Sequence, residues 1–255
     1  MDTLAHNLPM GKTVYADAGA ASLRDRIAAV VFDLDDTLWP IAPVIQRAEM
    51  ALAEWIRTNA PGVAARWDVN TLKLLRASLI AANPAVANDV MALRRGTIHA
   101  AFEECGGSVE QAERAFEFFR AERQKVEFYP DALRALDRLS RRFRLGVISN
   151  GFANVEAIGI AHHFEAVVSA HEVGVSKPAP EIYAACAERM GLTPAHLLYV
   201  GDDPENDVIG PISVGWSAAW INRSERKWPE NVGGSASTVN QFRNLETLTS
   251  WLLAA

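Results

Sequence analysis

Short apolar runs recur along the chain, and the sharpest of them stop abruptly at polar residues. Ala28-Ala29-Val30-Val31-Phe32 ends at Asp33, Leu145-Gly146-Val147-Ile148 at Ser149-Asn150-Gly151, and Leu197-Leu198-Tyr199-Val200 at Gly201-Asp202. Weaker runs occupy Ala166-Val167-Val168 and Ala218-Ala219-Trp220-Ile221. Runs this short, apolar on both faces, predict buried strands of a parallel sheet. Helical patterns lie between them. Asp131 to Arg142 carries Leu133, Leu136 and Leu139 at near-helical spacing, and Pro180 to Met190 is closed by Gly191. Glu205 to Ser213 reads as a helix strained by Pro211, and a last helix is predicted near Leu245 to Leu253. Alternating strands and helices predict an α/β fold with a Rossmann-like, doubly wound parallel sheet.

One stretch breaks the alternation. From Pro43 to Glu127 no strand is predicted, and helical stripes follow one another instead. Val44, Ala48, Leu52 and Trp55 or Ile56 mark the first, and Leu72, Leu75 and Leu79 a second that is broken at Asn83-Pro84. A third runs from about Asp89 to Glu104 and stops at Gly106-Gly107. A fourth opens at Ser108, with Gln111 placed to complete a capping box. A crossover between parallel strands normally carries a single helix, so this many imply an inserted all-helical cap domain. The division expected is a tail over 1–26, an α/β core over 27–41 and 128–255, and a cap over 42–127. The Gly- and Ala-rich stretch from Gly11 to Ala21 belongs to that tail.

Composition narrows the class. The chain is 49% hydrophobic and 22% charged, an ordinary globular balance that can bury a sizeable core. Its formal net charge of -6, with lysines scattered, argues against a nucleic-acid partner, which calls for a basic stripe. Cys105 and Cys186 lie far apart and suggest neither a disulfide framework nor zinc. No apolar stretch reaches signal-peptide or membrane-span length, so no membrane partner and a cytoplasmic location are expected.

The strand ends carry the chemistry. Asp33-Leu34-Asp35-Asp36-Thr37, Ser149-Asn150 and the segment from Gly201-Asp202 to Asp207 should meet at one sheet edge, with Lys177 between the last two in sequence. Asp33, Asp35, Asp202 and Asp207 crowd negative charge that a single lysine cannot balance. Two unit charges 4 Å apart interact by roughly 4 kcal/mol at an effective dielectric near 20. A divalent cation is therefore expected, and oxygen-only ligands suit Mg2+. Read singly, Asp35 and Asp36 could cap a helix and Asp202 to Asp207 form a turn, but that does not explain their convergence.

In this arrangement the sequence resembles the haloacid dehalogenase superfamily: Asp33 to Thr37 is similar to its first motif, Ser149 to its second, Lys177 to its third, and Asp202 to Asp207 to its fourth. The resemblance implies a phosphatase in which Asp33 attacks phosphorus and becomes an aspartyl-phosphate, while Asp35 protonates the leaving alcohol and then activates water. It further implies metal ligation by the Asp33 carboxylate, the Asp35 main-chain carbonyl and Asp202, with Asp207 beside the ion. Ser149, Asn150 and Lys177 would hold the phosphoryl oxygens, and Thr37 would brace the first loop. Asp36 and Asp203 read as solvated turn residues.

Within the superfamily, a halide leaving group would need no acid such as Asp35, and the Schiff-base lysine of phosphonate-cleaving members falls soon after the first motif, whereas the first cap lysine here is Lys73. A cap inserted after the first motif implies a small-molecule phosphorylated substrate. Phe32 to Leu38, Pro43-Val44-Ile45 with Arg47 and Glu49, and Val200 to Asp203 followed by Asp207 look more closely like bacterial phosphatases of flavin mononucleotide and 5-amino-6-(5-phosphoribitylamino)uracil. Sugar phosphates, nucleotides and a non-catalytic phospho-ligand module are the alternatives. Trp39 and Arg47 are candidate substrate contacts, Trp39 equally a hinge packing residue. Arg94 and Arg95 read as a solvated helix face.

Overall fold

The computed structural model describes residues 23–84, 89–234 and 239–254. Strands β1 (Ala29–Phe32), β2 (Arg144–Ser149), β3 (Ala166–Ser169), β4 (Leu197–Gly201), β5 (Ser217–Ile221) and β6 (Asn240–Phe242) form one sheet in the order β3-β2-β1-β4-β5-β6. Every pairing is parallel. The main helices are α1 (Ile41–Asn59), α2 (Val69–Ala82), α3 (Val90–Glu104), α4 (Val109–Arg123), α5 (Ala132–Leu139), α6 (Pro180–Met190) and α7 (Leu245–Leu252). A Rossmann-like α/β core with an inserted helical cap is what the apolar runs predict.

Period-two alternation divides the sheet between two cores. Val30, Phe32, Leu145, Val147, Leu198 and Val200 face one way, into a cluster with α5 and α7. Ala29, Val31, Ile148, Leu197 and Tyr199 face the other, against Ile182, Tyr183, Cys186 and Met190 of α6. Both faces are covered, as a parallel sheet requires. Cys186 is buried, while Cys105 is half-buried.

A third core belongs to the cap. Ala48, Leu52 and Ile56 of α1 meet Ile98 and Phe102 of α3 and Phe116 and Phe119 of α4. The foreseen capping box closes the start of α4: the Gln111 main-chain N–H donates to Ser108 Oγ at 3.2 Å, and the Ser108 N–H donates to Gln111 Oε1 at 3.1 Å.

Three expectations change. Strand β6, Asn-Gln-Phe, has no apolar run to announce it, and it pairs only at the sheet edge beside β5. The segment after β4 is not one strained helix: a π-helical turn over Pro204–Ile209 passes into a short α-helix over Gly210–Ser213. Pro211 stands at the join of the two, where it offers no N–H, and the Asn206 carbonyl behind it accepts from the Tyr183 hydroxyl instead. Of the expected tail, residues 1–22, the Gly11 to Ala21 stretch among them, lie outside the described residues, and Leu23 is buried in the core.

Register decides where the chemistry converges. Phe32 is level with Val147 on one side and Val200 on the other, so Asp33 emerges beside the ends of both neighbouring strands. Among the described residues no helix is long and apolar enough to cross a membrane.

Because the cap has its own core, a deletion there should be felt there first. Phe102→Ala, at a side chain 1% exposed, is expected to cost about 3–5 kcal/mol. Urea unfolding should show it as a lowered midpoint.

Candidate active site

Asp33 sits one residue past β1, its N–H bound to the Val200 carbonyl at 2.9 Å. Its partner is Lys177. The Lys177 Nζ donates to Asp33 Oδ1 at 2.8 Å, to Asp207 Oδ1 at 2.6 Å and to the Tyr199 hydroxyl at 2.9 Å. Three acceptors satisfy the three donors of an ammonium. Asp33, Lys177 and Asp207 are 7%, 5% and 1% exposed. Burial by itself would lower the Lys177 ammonium, but Asp207 and Asp33 outweigh it and hold it well above its ordinary value. Burial also pushes the Asp33 carboxyl well above the usual range; Lys177 pulls it back, and Asp207 adds to the rise. One lysine does not neutralise these acids.

Asp202 follows β4 and pairs with Arg226, whose Nη2 reaches Asp202 Oδ2 and the Asp202 carbonyl, both at 2.9 Å. Burial first, then Asp207 and Asp36, push the Asp202 carboxyl up to about 7, against the pull of Arg226. One oxygen from each of Asp33, Asp202 and Asp207 lies within 4.8 Å of the others. Hard oxygen donors on a rigid sheet edge, short of positive charge, fit a small divalent cation. Gly201 makes the approach possible: a Cβ there would lie 2.3 Å from the Asp207 Cγ. Asp203 is no idle turn residue, since its Oδ1 accepts the N–H groups of Glu205 and Asn206 and thereby starts the turn that carries Asp207.

Ser149 closes β2, buried, and its Oγ accepts the Gly151 N–H at 3.1 Å. The Asn150 side chain is committed elsewhere than to a phosphoryl group: it accepts from the Lys177 N–H at 2.7 Å and donates to the Lys177 carbonyl at 3.0 Å. Any contact it makes to an oxyanion falls to its main-chain N–H. Thr37 is fully buried, and its carbonyl accepts from Arg223 Nη2 at 3.1 Å, so it supports the loop through its main chain. Asp36, at φ 61, accepts the Ile41 N–H at 3.0 Å and so shapes the exit into α1.

The two candidate substrate contacts are occupied otherwise. Trp39 is 0% exposed, its ring edge-on to Phe128, and its indole N–H donates to Asp35 Oδ1 at 2.8 Å. A ring so enclosed has no face left for a ligand. Arg47 donates to the carbonyls of Glu122 and Lys125 and pins the end of α4 to α1. Arg94 is not solvated either. It is buried against Glu49 at 2.8 Å and lies 4.4 Å over the Phe119 ring.

Sequence reasoning missed Tyr199, Arg226 and Arg123. The first hid inside an apolar run, and the others lie far from any motif. Arg123, the last residue of α4, sets its Nη2 2.6 Å from both Asp35 oxygens. Beyond the acids, a cleft of about 390 Å³ opens between the start of α3 and the segment after β2, lined by Met91, Asn150, Gly151, Phe152, His171 and Ser176 among others.

With a buried aspartate, its lysine and its ring of acids set beneath a cap, the chain is an enzyme of the hydrolase class. More particularly, it belongs to the haloacid dehalogenase-like hydrolase family, whose model matches residues 27–215. It is 33% identical over 210 residues to the Escherichia coli 5-amino-6-(5-phospho-D-ribitylamino)uracil phosphatase YigB, covering 81% of this chain and 85% of that one. It is 31% identical over 236 residues to the Thermus thermophilus phosphoserine phosphatase, covering 88% and 87%. Among solved structures, a 2-haloacid dehalogenase from Pseudomonas syringae pv. Tomato superposes with a TM-score of 0.78 at 32% identity, covering 89% of this chain and 98% of that one.

Lys177→Met leaves the buried carboxylates of Asp33 and Asp207 without their cation. Breaking such a pair costs about 3–5 kcal/mol, so the melting temperature should fall relative to the unsubstituted protein.

Proposed function

We propose that the protein is a magnesium-dependent phosphomonoester hydrolase that works through an aspartyl-phosphate on Asp33. The observation that carries this reading is the gathering of Asp33, Asp202 and Asp207 within 4.8 Å, beside Lys177 and with Asp35 two residues from the nucleophile. Lys177 holds Asp33 Oδ1, which leaves Oδ2 to attack phosphorus in line with the ester oxygen. The phosphorus–oxygen bond of the ester breaks, and Asp35, entering the cycle as the carboxylic acid, gives its proton to the departing alkoxide and is left as the carboxylate. Asp35 then takes a proton from the water that attacks the aspartyl-phosphate, releasing phosphate and restoring Asp33. The Ser149 hydroxyl and the Asn150 main-chain N–H, at the end of β2, would hold phosphoryl oxygens.

Asp33, the Asp35 carbonyl and Asp202 would hold the magnesium ion, with Asp207 beside it. When bound, the ion supplies the positive charge against the phosphoryl oxygens that Lys177 alone does not. The same acids that would repel a phosphate dianion become its anchor.

For substrate, the similarity to the Escherichia coli enzyme favours 5-amino-6-(5-phospho-D-ribitylamino)uracil, with flavin mononucleotide next. The cleft of about 390 Å³ that reaches Asn150 and Gly151 at the end of β2 would take the part of the metabolite beyond its phosphate. A dehalogenase reading draws on the Pseudomonas structure. It gives Asp35 nothing to do, because a halide leaves without a proton, and it leaves the ring of acids unexplained.

Phosphate release from an aryl phosphate should stop with a chelator, resume with Mg2+ and vanish in Asp33→Asn. Asp35→Asn should slow alkyl phosphate hydrolysis on the order of 10²-fold or more. A panel of phosphorylated metabolites then ranks substrates. Chloride release from a 2-chloro acid, with no phosphate release from any ester, would sink the proposal.

A further inference from the structure

Asp35 is held from the cap. Arg123 is the last residue of α4 and 1% exposed, and one of its nitrogens, Nη2, stands 2.6 Å from each Asp35 oxygen. Trp39 adds its indole N–H to Oδ1. The chain leaves the core for the cap just after Asp35 and returns just after Arg123. The pair therefore ties both crossings together at the catalytic carboxylate. Gln124, the next residue, docks the return crossing on the core by donating to the Phe152 carbonyl at 3.2 Å and accepting the Asn154 N–H at 2.8 Å.

The geometry of the pair is informative. A guanidinium frequently meets a carboxylate with two nitrogens on two oxygens, the stronger arrangement. Here one nitrogen serves both oxygens, and Arg123 Nη1 is buried with no hydrogen-bond partner. Burying a cation in such a pairing is a poor source of stability. The surroundings nonetheless keep space for it. A Cβ on Gly151 would lie 2.8 Å from Asp35 Oδ2 and 3.6 Å from Arg123 Nη2, and the guanidinium lies 5.6 Å from the Phe152 ring centre.

We propose that Arg123 is a positioning residue, which acts through Asp35 by fixing where its carboxyl group stands for proton delivery to the leaving group. The inference rests on the phosphatase reading, since Asp35 has a proton to deliver only if an alkoxide departs. Arg123 touches neither the phosphorus nor the nucleophile in this scheme. Its contribution runs through the two proton transfers of Asp35, of which only the one to the leaving group precedes departure of the alcohol.

Leaving groups of different basicity test this. An alkyl phosphate needs the proton, whereas 2,4-dinitrophenyl phosphate releases a stable anion without one. The ratio kcat/KM covers steps through departure of the leaving group. For Arg123→Met, kcat/KM on the alkyl ester should fall on the order of 10²-fold, with less than about a 3-fold change on the dinitrophenyl ester. Arg123→Lys, which keeps a donor, should recover part of the alkyl activity. In an Asp35→Asn background, Arg123→Met should cost nothing more. Equal losses on the two esters, or full additivity with Asp35→Asn, would overturn the proposal and leave Arg123 a packing residue. If Arg123→Met does not fold, the same ester comparison on Arg123→Lys decides. Wild-type enzyme inert on both esters overturns the phosphatase reading itself, and this inference with it.

Discussion

The site is organised around one ammonium group. Lys177 Nζ, buried at the end of the parallel sheet, holds Asp33 and Asp207 together at 2.8 and 2.6 Å. Neither carboxylate could be buried alone, and a lysine could not be buried without them. The rest of the edge serves to make that arrangement possible. Asn150 clamps the Lys177 main chain at both its N–H and its carbonyl. The Tyr199 hydroxyl accepts the third hydrogen bond of the ammonium and donates its own to the Ile148 carbonyl at 2.9 Å. Strands β1, β2 and β4 thus converge on Lys177 through Asp33, Asn150 and Tyr199, and the register of the sheet becomes a register of charges.

The cap answers the same problem differently. Glu49 is buried at the centre of the helical insertion and meets Arg94 at 2.8 Å and Arg76 and Lys73 at 3.2 Å. Hydrogen bonding to Arg94 and the nearby cations hold its carboxyl below the usual range even though burial pushes the other way. In the core, acids outnumber cations, and in the cap, cations outnumber the acid. An excess of carboxylate at a ligand-facing edge can be relieved by a bound cation. The excess of cations around Glu49 runs outward to Lys73, which is half exposed, where water relieves it.

What the sequence made legible follows from how local each signal is. An apolar run that ends at an acid says both "strand" and "strand end", so Asp33, Ser149 and Asp202 could be placed on one edge before any coordinates. The Ser108 and Gln111 pair is equally local and was readable for the same reason. Strand β6 was not, because an edge strand needs no apolar run. For Trp39 the residue type leaves ligand contact and hinge packing equally open, and burial and partners decide for packing, with the indole donating to Asp35; Arg47, a candidate contact by type, is bound to the end of α4. Arg94 shows the converse. Its charge reads as surface until Glu49, far away in sequence, is brought against it. Arg123 and Arg226 belong to this long-range class, since nothing near them in sequence hints at Asp35 or Asp202.

A shared fold leaves the reaction open, because one parallel sheet with an aspartate at its edge can displace different leaving groups. The distinction lies in what the departing atom requires. A halide needs solvation of its charge and no proton, so an acid beside the nucleophile would be a liability, repelling the anion as it forms. An alkoxide needs a proton at the moment of bond cleavage, and only a group within hydrogen-bond reach can supply it. The carboxylate that could do so here is not left to rotate freely: an indole and a guanidinium, from opposite sides of the cap hinge, hold its oxygens. Immobilising a carboxylate so closely costs side-chain freedom and places a buried arginine in an incomplete pairing. Such a cost is understandable where the carboxylate's position governs proton transfer, and has no evident return where the leaving group departs unaided.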